Sequence, residues 1–384
     1  MENPGPIIQV FATPSWGGGE QFVYDLSRRL MADGRRVVLV SRPSAVIGQR
    51  VAALGAPFHT LPMKGVADML SALMLAHLIV KYRPATIHVH HFKDAFTAVY
   101  ARLLCRAFGF RPRIVLTRHL VRRGKRGWIY RWLYGQIDRI VFVSEFARRE
   151  FLAGKPVVDP AKLCVIPNSV PEAYRAVSGR IGRDTPDLRR QYGIASNVPL
   201  LLFCGRLVPE KGCDVLLEAC ARLKTLPFAL VLAGTGEKNF EKRLHDMAAE
   251  QELLGKVFFA GFVRGANRLL SQADISVSPS VCSEAGSLTV LEAMQAGCAQ
   301  VASDNGSQPE FIDNGTTGLL VPPADEERLA EALRRLLADD DLRRRMGRAA
   351  KECFDRHFSY ERFYVRYLEL YEQPFRTPSA NGQE

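Results

Sequence analysis

The stretch PLLLFCGRLVPEKGCDVLLEA, from Pro199 to Ala219, begins with an apolar β-rich run and then passes through a charged loop into a helical pattern. Similar runs follow as FALVLAG, KVFFAGF, DISVSPS, CAQVASD and GLLVPP, and the first half of the chain contains IIQVF, RRVVLVS, ATIHVHH, RIVLTRH and RIVFVSE. Strands that alternate with helices in this way predict parallel sheets covered by helices on both faces. We therefore predict an α/β protein built from doubly wound, Rossmann-like units.

The chain is too long for a single domain. Its 384 residues exceed what one hydrophobic core usually organises. Between residues 171 and 198 the alternation lapses into a polar stretch rich in Arg, Gly, Ser and Pro, as expected at a domain boundary. We predict a first domain over residues 1–180, a second over 181–355 and a C-terminal helix over 356–376, with disorder from Thr377 to Glu384. Open sheets bind ligands beyond the carboxyl ends of their strands, so function is expected in those loops.

Composition indicates a folded cytoplasmic protein. Apolar residues make up 47% and aromatic residues 9% of the chain, enough for two cores. The eight cysteines are scattered without a Cys-x-x-Cys pair, unlike those of a zinc site or a small disulfide scaffold. The N-terminus lacks the basic region of a signal peptide, and the apolar run Met69–Val80 is shorter than the ~18 to 20 residues that span a bilayer. We expect a chain that does not cross the membrane.

A basic aromatic segment suggests contact with a membrane surface. The formal net charge is +12, and residues 117–136, TRHLVRRGKRGWIYRWLYGQ, contain no acidic residue. Near anionic lipid each basic residue gains on the order of 1 kcal/mol, and Trp prefers the headgroup zone. A membrane-binding patch is therefore predicted from Arg122, Arg123, Lys125, Arg126, Trp128 and Trp132. The alternative is a solvated basic face whose aromatic residues pack inward.

Charged and glycine-rich loops follow strands in the second half. Arg206 and Lys211 come directly after PLLLFCG, and two cations at such a rim suit a diphosphate. Taken alone, solvated rim charges explain them more simply. Gly234 and Gly236 follow the next strand, where glycine can bring backbone close to a ligand.

The run CSEAGSLTVLEAMQAG, residues 282–297, predicts a helix from about Ser287 to Gln295. Glu284 precedes the helix and Glu292 lies about one and a half turns inside it, so both can accept hydrogen bonds from hydroxyl groups flanking a diphosphate. A nucleoside diphosphate sugar carries such hydroxyl groups at both ends. The phosphate oxygens themselves would bind backbone amides at the helix start, near Gly286, Ser287 and Leu288.

These runs resemble a known family. GRLVPEKGCDVLLEA, SPSVCSEAGSLTVLEAMQAGCAQVASDNGSQPEFIDNGTTGLLVPPAD and the seven residues between the two glutamates are similar to retaining glycosyltransferases of the GT-B fold, glycosyltransferase family 4. The resemblance covers nearly the whole chain and is stronger in the C-terminal half. It implies two Rossmann-like domains facing across a cleft, with the acceptor bound by the first domain and the nucleotide sugar by the second. It also implies that the C-terminal helix returns to the first domain.

The resemblance also implies roles for single residues. Arg206 and Lys211 would hold the donor diphosphate, Glu292 would bind the ribose, and Glu284 would contact hydroxyl groups of the donor sugar. The implied catalytic set is His119, Arg206, Lys211 and Glu284, because His119 matches the family histidine near the acceptor. The implied donor-binding set is Gly17, Gly18, Gly19, Gly205, Gly234, Gly236, Gly286, Ser287, Leu288 and Glu292. Ala285 departs from the family, in which many members carry a bulky apolar residue before the glycine.

Two further patterns suggest other ligands. The loop TPSWGGGEQFVYDLS, residues 13–27, is not a G-x-G-x-x-G fingerprint, so a dinucleotide is not expected. His88, His90 and His91 contain a His-x-His pair, but no cysteine or acid pattern completes a metal site, and packing or hydrogen bonding explains them better. The run Asp339–Asp341 lies between two predicted helices, where N-capping is the better explanation than metal binding.

The resulting hypothesis is a metal-independent, retaining glycosyltransferase of the EC 2.4 class that needs no cofactor beyond its nucleotide-sugar co-substrate. Its acceptor would be a lipid-linked or lipid-anchored glycan, such as a lipopolysaccharide core or exopolysaccharide intermediate, at the inner face of the cytoplasmic membrane. Nucleic acid is not an expected partner. The alternatives are a membrane-associated nucleotide-sugar-binding protein without turnover, and a GT-B epimerase or phosphorylase.

Overall fold

The computed structural model describes residues 5–13, 16–171, 186–263 and 268–372. The predicted disorder at residues 377–384 lies outside these ranges, as do residues 373–376 of the predicted C-terminal helix and much of the predicted boundary region.

The first sheet is parallel and has seven strands in the order β3-β2-β1-β4-β5-β6-β7. Its strands are β1 Ile7–Val10, β2 Val37–Ser41, β3 Phe58–Thr60, β4 Thr86–Val89, β5 Arg113–Arg118, β6 Arg139–Phe142 and β7 Leu163–Val165. The helices of this part are α1 Gly18–Ala32, α2 Ala45–Ala52, α3 Met69–Tyr82, α4 Asp94–Arg106, α5 Trp128–Gln136 and α6 Glu145–Ala153.

The second sheet is also parallel and has six strands in the order β10-β9-β8-β11-β12-β13. Its strands are β8 Leu200–Cys204, β9 Ala229–Ala233, β10 Val257–Gly261, β11 Ile275–Ser278, β12 Ala299–Ser303 and β13 Leu319–Val321. The later helices are α7 Leu188–Tyr192, α8 Cys213–Ala221, α9 Lys238–Glu250, α10 Leu288–Ala296, α11 Gln308–Phe311, α12 Glu326–Ala338, α13 Asp340–Cys353 and α14 Tyr360–Glu372.

Burial on both faces explains why the central strands are continuously apolar. All five residues of β8 and of β9 are buried, as expected when helices cover a parallel sheet on each side. In each sheet the chain order reverses beside the first strand, at β1/β4 and β8/β11, and such switch points open a crevice beyond the carboxyl ends of the strands. The predicted doubly wound α/β fold is confirmed.

The last helix packs on the first sheet rather than on the second. Phe363, Tyr364 and Tyr367 of α14 are buried in one apolar cluster with residues of α1 and β2. Arg113, at the start of β5, donates hydrogen bonds to the carbonyl oxygens of Leu370 (2.9 Å) and Tyr371 (3.0 Å). These bonds satisfy carbonyl groups that the end of a helix leaves without a helical partner.

Candidate active site

The loop after β8 is shaped by a glycine. Residues Pro209–Lys211 form one 3₁₀ turn, and Gly212 follows with a φ of 68°. A Cβ at Gly212 would lie 2.1 Å from the carbonyl oxygen of Pro279, so only glycine allows this loop to approach the segment after β11. The carbonyl oxygen of Glu210 then accepts hydrogen bonds from the amides of Val281 (3.0 Å) and Cys282 (3.2 Å).

This approach brings Lys211 to Glu284. Lys211 Nζ lies 2.7 Å from Glu284 Oε1, and the hydroxyl group of Ser280 donates to the same oxygen. The Lys211 side chain is 28% exposed and the Glu284 side chain 18% exposed, so the pair borders the cleft without being sealed in the core. Ser280, which was not singled out from the sequence, therefore helps to orient the carboxylate.

Arg206 is the other predicted cation of this rim. It is exposed and, within the described ranges, its side chain makes no ion pair or hydrogen bond. A guanidinium group without a protein partner is available to form a bidentate contact with an anion. The two predicted cations therefore differ, since Lys211 is already neutralised by Glu284 and Arg206 is not.

The glycines after β9 are required by close contacts within the protein. A Cβ at Gly234 would lie 1.7 Å from the carbonyl oxygen of Gly205, and one at Gly236 would lie 1.7 Å from that of Leu207. These glycines are required where two neighbouring loops touch, at the bridge between Leu207 and Gly236. Their close backbone approach is to protein, and their predicted role at a ligand stays a prediction.

Helix α10 begins at the seam, the line of contact between the first and second domains. Ser287 is its N-cap but makes no side-chain capping bond, so the amides of the first turn have no cap. Gly18, at the start of α1, faces this end, because a Cβ at Gly18 would lie 3.1 Å from Leu288 Cδ1. Free amides and a glycine on the opposite side form a position suited to phosphate oxygens.

Glu292 lies one turn further along α10 and lines a cavity between the domains. The cavity is also lined by Gln21, Asp25, Leu288 and Tyr360. Burial raises the pKa of Glu292 to about 8, and the neighbouring Asp25 carboxylate adds to this effect. Within the described part of the chain, no group donates a hydrogen bond to Glu292. Asp25 was not predicted as a site residue, because it occupies an ordinary position of a predicted helix.

The loop between Glu284 and α10 docks directly onto the first domain. Ala285 is buried within the core cluster of that domain, and Ser144 donates a hydrogen bond to the Ala285 carbonyl oxygen. Asn168 Nδ2 donates to the Gly286 carbonyl oxygen at 3.1 Å, and a Cβ at Gly286 would lie 2.7 Å from the same nitrogen. The small side chain of Ala285 allows the loop to dock on the first domain. Many members of the family have a bulky apolar residue at this position.

His119 lies on the first-domain side of the same seam. Its ring is in contact distance of Gly19, where a Cβ would lie 3.7 Å from His119 Cγ, and it meets the edge of Phe22 with ring centroids 4.7 Å apart. His119 Nε2 lies 3.1 Å from His90 Nδ1. Burial lowers the pKa of His119 to about 3, and His91 contributes in the same direction. His119 is thus a neutral hydrogen-bonding group.

The acidic run and the histidines considered as metal ligands have other roles in the structure. Asp339 caps α13, accepting a hydrogen bond from the amide of Leu342 at 2.8 Å, so the capping prediction is confirmed. Across the described segments, no three His, Cys, Asp or Glu side chains come together as a metal site would require. His88 and His90 instead bond to Thr117 and Gln9.

The predicted membrane patch is only partly on the surface. Trp128 is 82% exposed, and the four basic residues Arg122, Arg123, Lys125 and Arg126 are also exposed. Trp132, in contrast, is partly buried and stacks on Tyr100 of α4 with ring centroids 5.9 Å apart. Trp132 lies on the side of α5 that packs against α4, and the membrane contact predicted for it stays a prediction. No helix in the described ranges is both long and apolar enough to traverse a bilayer.

Comparison with known proteins gives consistent matches. A family model described as "Glycosyl transferases group 1" matches residues 184–353, and one described as "Glycosyltransferase Family 4" matches residues 16–174. An alpha-maltose-1-phosphate synthase of Mycolicibacterium smegmatis is 30% identical over 263 residues, which span 64% of this chain and 66% of that enzyme, just under two thirds.

Two further proteins are similar over different extents. A lipopolysaccharide core biosynthesis glycosyltransferase of Rhizobium meliloti is 31% identical over 182 residues, or 47% of this chain and 52% of that protein. An Anabaena protein crystallised with UDP and glucose has the same fold, with a TM-score of 0.81, 17% identity and coverage of 96% of this chain and 100% of that chain.

Proposed function

Because the chain belongs to the group 1, family 4 glycosyltransferases and has their GT-B fold, we propose that it moves a sugar from a nucleoside diphosphate donor to a cell-envelope glycan, with retention at the anomeric carbon. The observation that carries this proposal is the cluster beside the start of α10. It combines an unpaired guanidinium group, a Lys211–Glu284 pair 2.7 Å apart and uncapped helix amides. Each of these groups suits a different part of a nucleotide sugar.

In the proposed reaction the bond between the anomeric carbon and the diphosphate oxygen breaks, and its electron pair stays on the diphosphate. The acceptor hydroxyl oxygen forms the new bond from the same face, and its proton passes to the leaving diphosphate. The products are the glycoside and the nucleoside diphosphate. Arg206, Lys211 and the amides at the start of α10 stabilise the charge that develops on the leaving group. Such fixed groups supply this stabilisation without a metal ion or another cofactor.

Glu284 is assigned to donor positioning. Its Oε1 is already held by Lys211 and Ser280, which fixes the carboxylate and reduces its strength as a nucleophile. The other oxygen is then free to accept a hydrogen bond from a sugar hydroxyl group. Glu292 is assigned to the ribose, as its position one turn inside α10 allows. A glycosyl adduct trapped on Glu284 would contradict the first assignment.

The proposed contact with the membrane rests on two surfaces of the first domain. Helix α3 exposes Leu70 (58%) and Leu73 (55%) near its start, and the basic loop lies before α5. Both surfaces follow the carboxyl ends of first-domain strands, and α4 contacts both helices. Within the described residues the side chains of Arg122, Arg123 and Arg126 make no ion pair. An apolar helix face beside unpaired cations suits an anionic membrane, where a lipid-anchored acceptor would be found.

Donor binding is the first test. Calorimetry with UDP-, GDP- and ADP-sugars, in chelator, would compare the natural protein with Glu292→Ala and Lys211→Ala. We expect one donor to bind tightly without metal and both variants to lose that binding. If no donor binds, or if binding requires a divalent cation, the proposed donor site is wrong. The similarity to a lipopolysaccharide core biosynthesis glycosyltransferase makes envelope glycans the first acceptors to test.

Membrane binding is tested separately, by sedimentation with vesicles of anionic or zwitterionic phospholipid. Charge-neutral replacement of Arg122, Arg123, Lys125 and Arg126 should reduce binding to the anionic vesicles. Replacement of Leu70 and Leu73 with Ser should reduce it as well, while leaving donor binding unchanged. Equal binding of all variants would contradict the membrane surface but not the donor site.

A further inference from the structure

A column of buried histidines lies behind His119. His88 and His90 are 0% and 3% exposed, and their ring centroids are 4.1 Å apart. His90 and His119 stack with centroids 5.4 Å apart and are linked by the contact of 3.1 Å between Nδ1 and Nε2. The column thus runs from the interior of the first sheet to the seam between the domains.

All three rings are neutral, because they lie in an environment that disfavours charge. Burial is the main cause that lowers the pKa of His88, His90 and His119, and the neighbouring histidines lower each further. A neutral imidazole has one nitrogen that donates and one that accepts. Each hydrogen bond in the column therefore fixes the direction of the next.

Gln9 sets the direction of the hydrogen bonds that lead to His119. It is a fully buried polar residue in the middle of β1, paired in register with His88 of β4. With the Gln9 amide in this orientation, Oε1 lies 2.7 Å from His90 Nε2, so this nitrogen carries the proton and donates, while Gln9 Nε2 is buried without a partner in the described residues. His90 Nδ1 is then an acceptor, and His119 Nε2 must donate to it. His119 Nδ1 is left without a proton, and it makes no hydrogen bond within the described residues.

The far end of the column is tied to the last helix. Tyr371 of α14 has its hydroxyl group 2.6 Å from His88 Nδ1, and Thr117 Oγ1 lies 2.7 Å from His88 Nε2. Tyr367, also of α14, lies 3.2 Å from Thr117 Oγ1. Both ring nitrogens of His88 are therefore engaged, so the ring that stacks on His90 is held in place.

We propose that Gln9 and His90 are positioning residues that hold His119 as its neutral Nε2–H tautomer and so present Nδ1 as a hydrogen-bond acceptor to a hydroxyl group of a sugar bound beside Gly19. This inference rests on the proposed function for the identity of the ligand. The tautomer itself is a property of the protein alone. A flipped Gln9 amide would reverse the Gln9–His90 and His90–His119 bonds, so that His119 Nδ1 would carry the proton and act as a donor.

The charged surroundings of His119 oppose its protonation. Burial acts to lower the pKa of His91, which neighbours it, but the nearby Glu20 and Asp94 carboxylates outweigh this and raise that pKa. His91 Nε2 lies 3.6 Å from Glu20 Oε1. A protonated His91 makes a second cation at His119 unfavourable, while Phe22 and Tyr367 contribute no charge at neutral pH. The neutral tautomer should persist over the range in which such enzymes are assayed.

Nuclear magnetic resonance of protein labelled with ¹⁵N-histidine tests the proposal without any substrate. The His119 signals would be assigned by comparison with His119→Asn. We expect protonation on Nε2 only, with no titration of His119 down to pH 5. In His90→Leu we expect a mixture of tautomers and a pKa that moves toward the ordinary value of about 6.5. Protonation on Nδ1 in the natural protein, or an unchanged His119 tautomer in His90→Leu, would overturn the proposal.

Turnover of the donor identified by calorimetry supplies the second arm. His90→Leu should lower kcat about tenfold with little change in the KM for the donor, and should add an acid limb to the pH profile. His90→Asn retains an acceptor near the Nδ1 position and should recover most of the loss. His245→Asn, an exposed histidine of α9, is the matched control. If His119 of the natural protein has the expected tautomer but the protein shows no turnover, the proposed function is wrong and the column is not. If His90→Leu has an unchanged pH profile, the proposal for the column is wrong.

Discussion

The two sides of the seam hold their polar groups in opposite ways. On the second-domain side, Arg206, Lys211 and Glu284 are charged and reach solvent. On the first-domain side, Gln9, His90 and His119 are neutral and fixed by burial and mutual hydrogen bonds. A leaving diphosphate has to be met by charge, whereas a sugar hydroxyl group has to be met by a donor or acceptor of the right direction. Under the proposed reaction, this contrast would separate stabilisation of the leaving-group charge from orientation of the sugar hydroxyl group.

The largest effect should come from removing charge on the second-domain side. Lys211→Met removes one cation and leaves the Glu284 carboxylate without its partner at the position of the leaving group. We expect kcat/KM to fall by about 10²- to 10³-fold, the scale of one lost electrostatic stabiliser. Steady-state kinetics would measure it, with Lys224→Met as the control, because Lys224 forms an exposed pair with Glu252. A loss of less than threefold would show that Lys211 is only a rim charge.

The next largest effect should come from forcing the two sides apart. Ala285→Phe would place a bulky ring in the first-domain core, where overpacking costs roughly 1 to 3 kcal/mol. We expect turnover to fall about tenfold or more, with an increase in the radius of gyration in small-angle scattering. Ala285→Gly preserves the carbonyl group that Ser144 binds and should behave almost normally. If the phenylalanine variant keeps full turnover, the seam does not require close contact.

A pH dependence distinguishes the donor side from the neutral column. Glu292 has a pKa of about 8 in the free protein, so it is mostly protonated at pH 7. Ribose hydroxyl groups donate best to the carboxylate, so binding should release a proton, and affinity should rise with pH up to about 8 and then level off. Below that point each pH unit should weaken binding by up to about tenfold. Calorimetry in buffers of different ionisation enthalpy measures the released proton.

The control for this prediction is Glu292→Gln, which has no proton to lose. Its donor affinity should be weaker than that of the natural protein above pH 8 and nearly independent of pH between 6 and 9. A proton release that persists in this variant would have to be assigned to another group.

The smallest effect should come from the far end of the column. Tyr371→Phe leaves His88 Nδ1 buried without its partner, which should cost about 1 kcal/mol and lower Tm by roughly 2 to 4 °C. Tyr360→Phe is the matched control, since the Tyr360 hydroxyl group is buried without a partner in the described residues. Thermal unfolding should therefore separate the two variants. If both lose the same stability, the Tyr371–His88 bond contributes nothing specific.

The fold could be predicted well because the signals for it are local. Runs such as Leu200–Cys204 are buried on both faces, so their apolar composition is continuous and easily read. The start of α10 and the cap at Asp339 were also predicted to within a residue, because capping depends on a few neighbouring positions. The glycines at 234 and 236 were correctly located after a strand, but their contacts with the loop after β8 could not be predicted from the sequence.

The column could not be predicted in the same way, because its members are far apart in sequence. Gln9 lies in β1, and His90 and His119 directly follow β4 and β5, strands that are adjacent only in the folded sheet. One local signal was available, since a glutamine within the apolar run IIQVF has to find a hydrogen-bond partner when it is buried. The partial burial of Trp132 could not be predicted either, because it depends on Tyr100 of another helix.

The position of α14 also has a consequence for synthesis of the protein. Residues 360–372 leave the ribosome about 200 residues after β7, which at ~5 to 20 residues per second is roughly 10 to 40 s. During that interval the nascent first domain lacks the helix that covers Phe22 and Leu26 and that supplies Tyr371 to His88. The second sheet is therefore made before the first domain receives its last helix, so the first-domain side of the site is the later of the two to be completed.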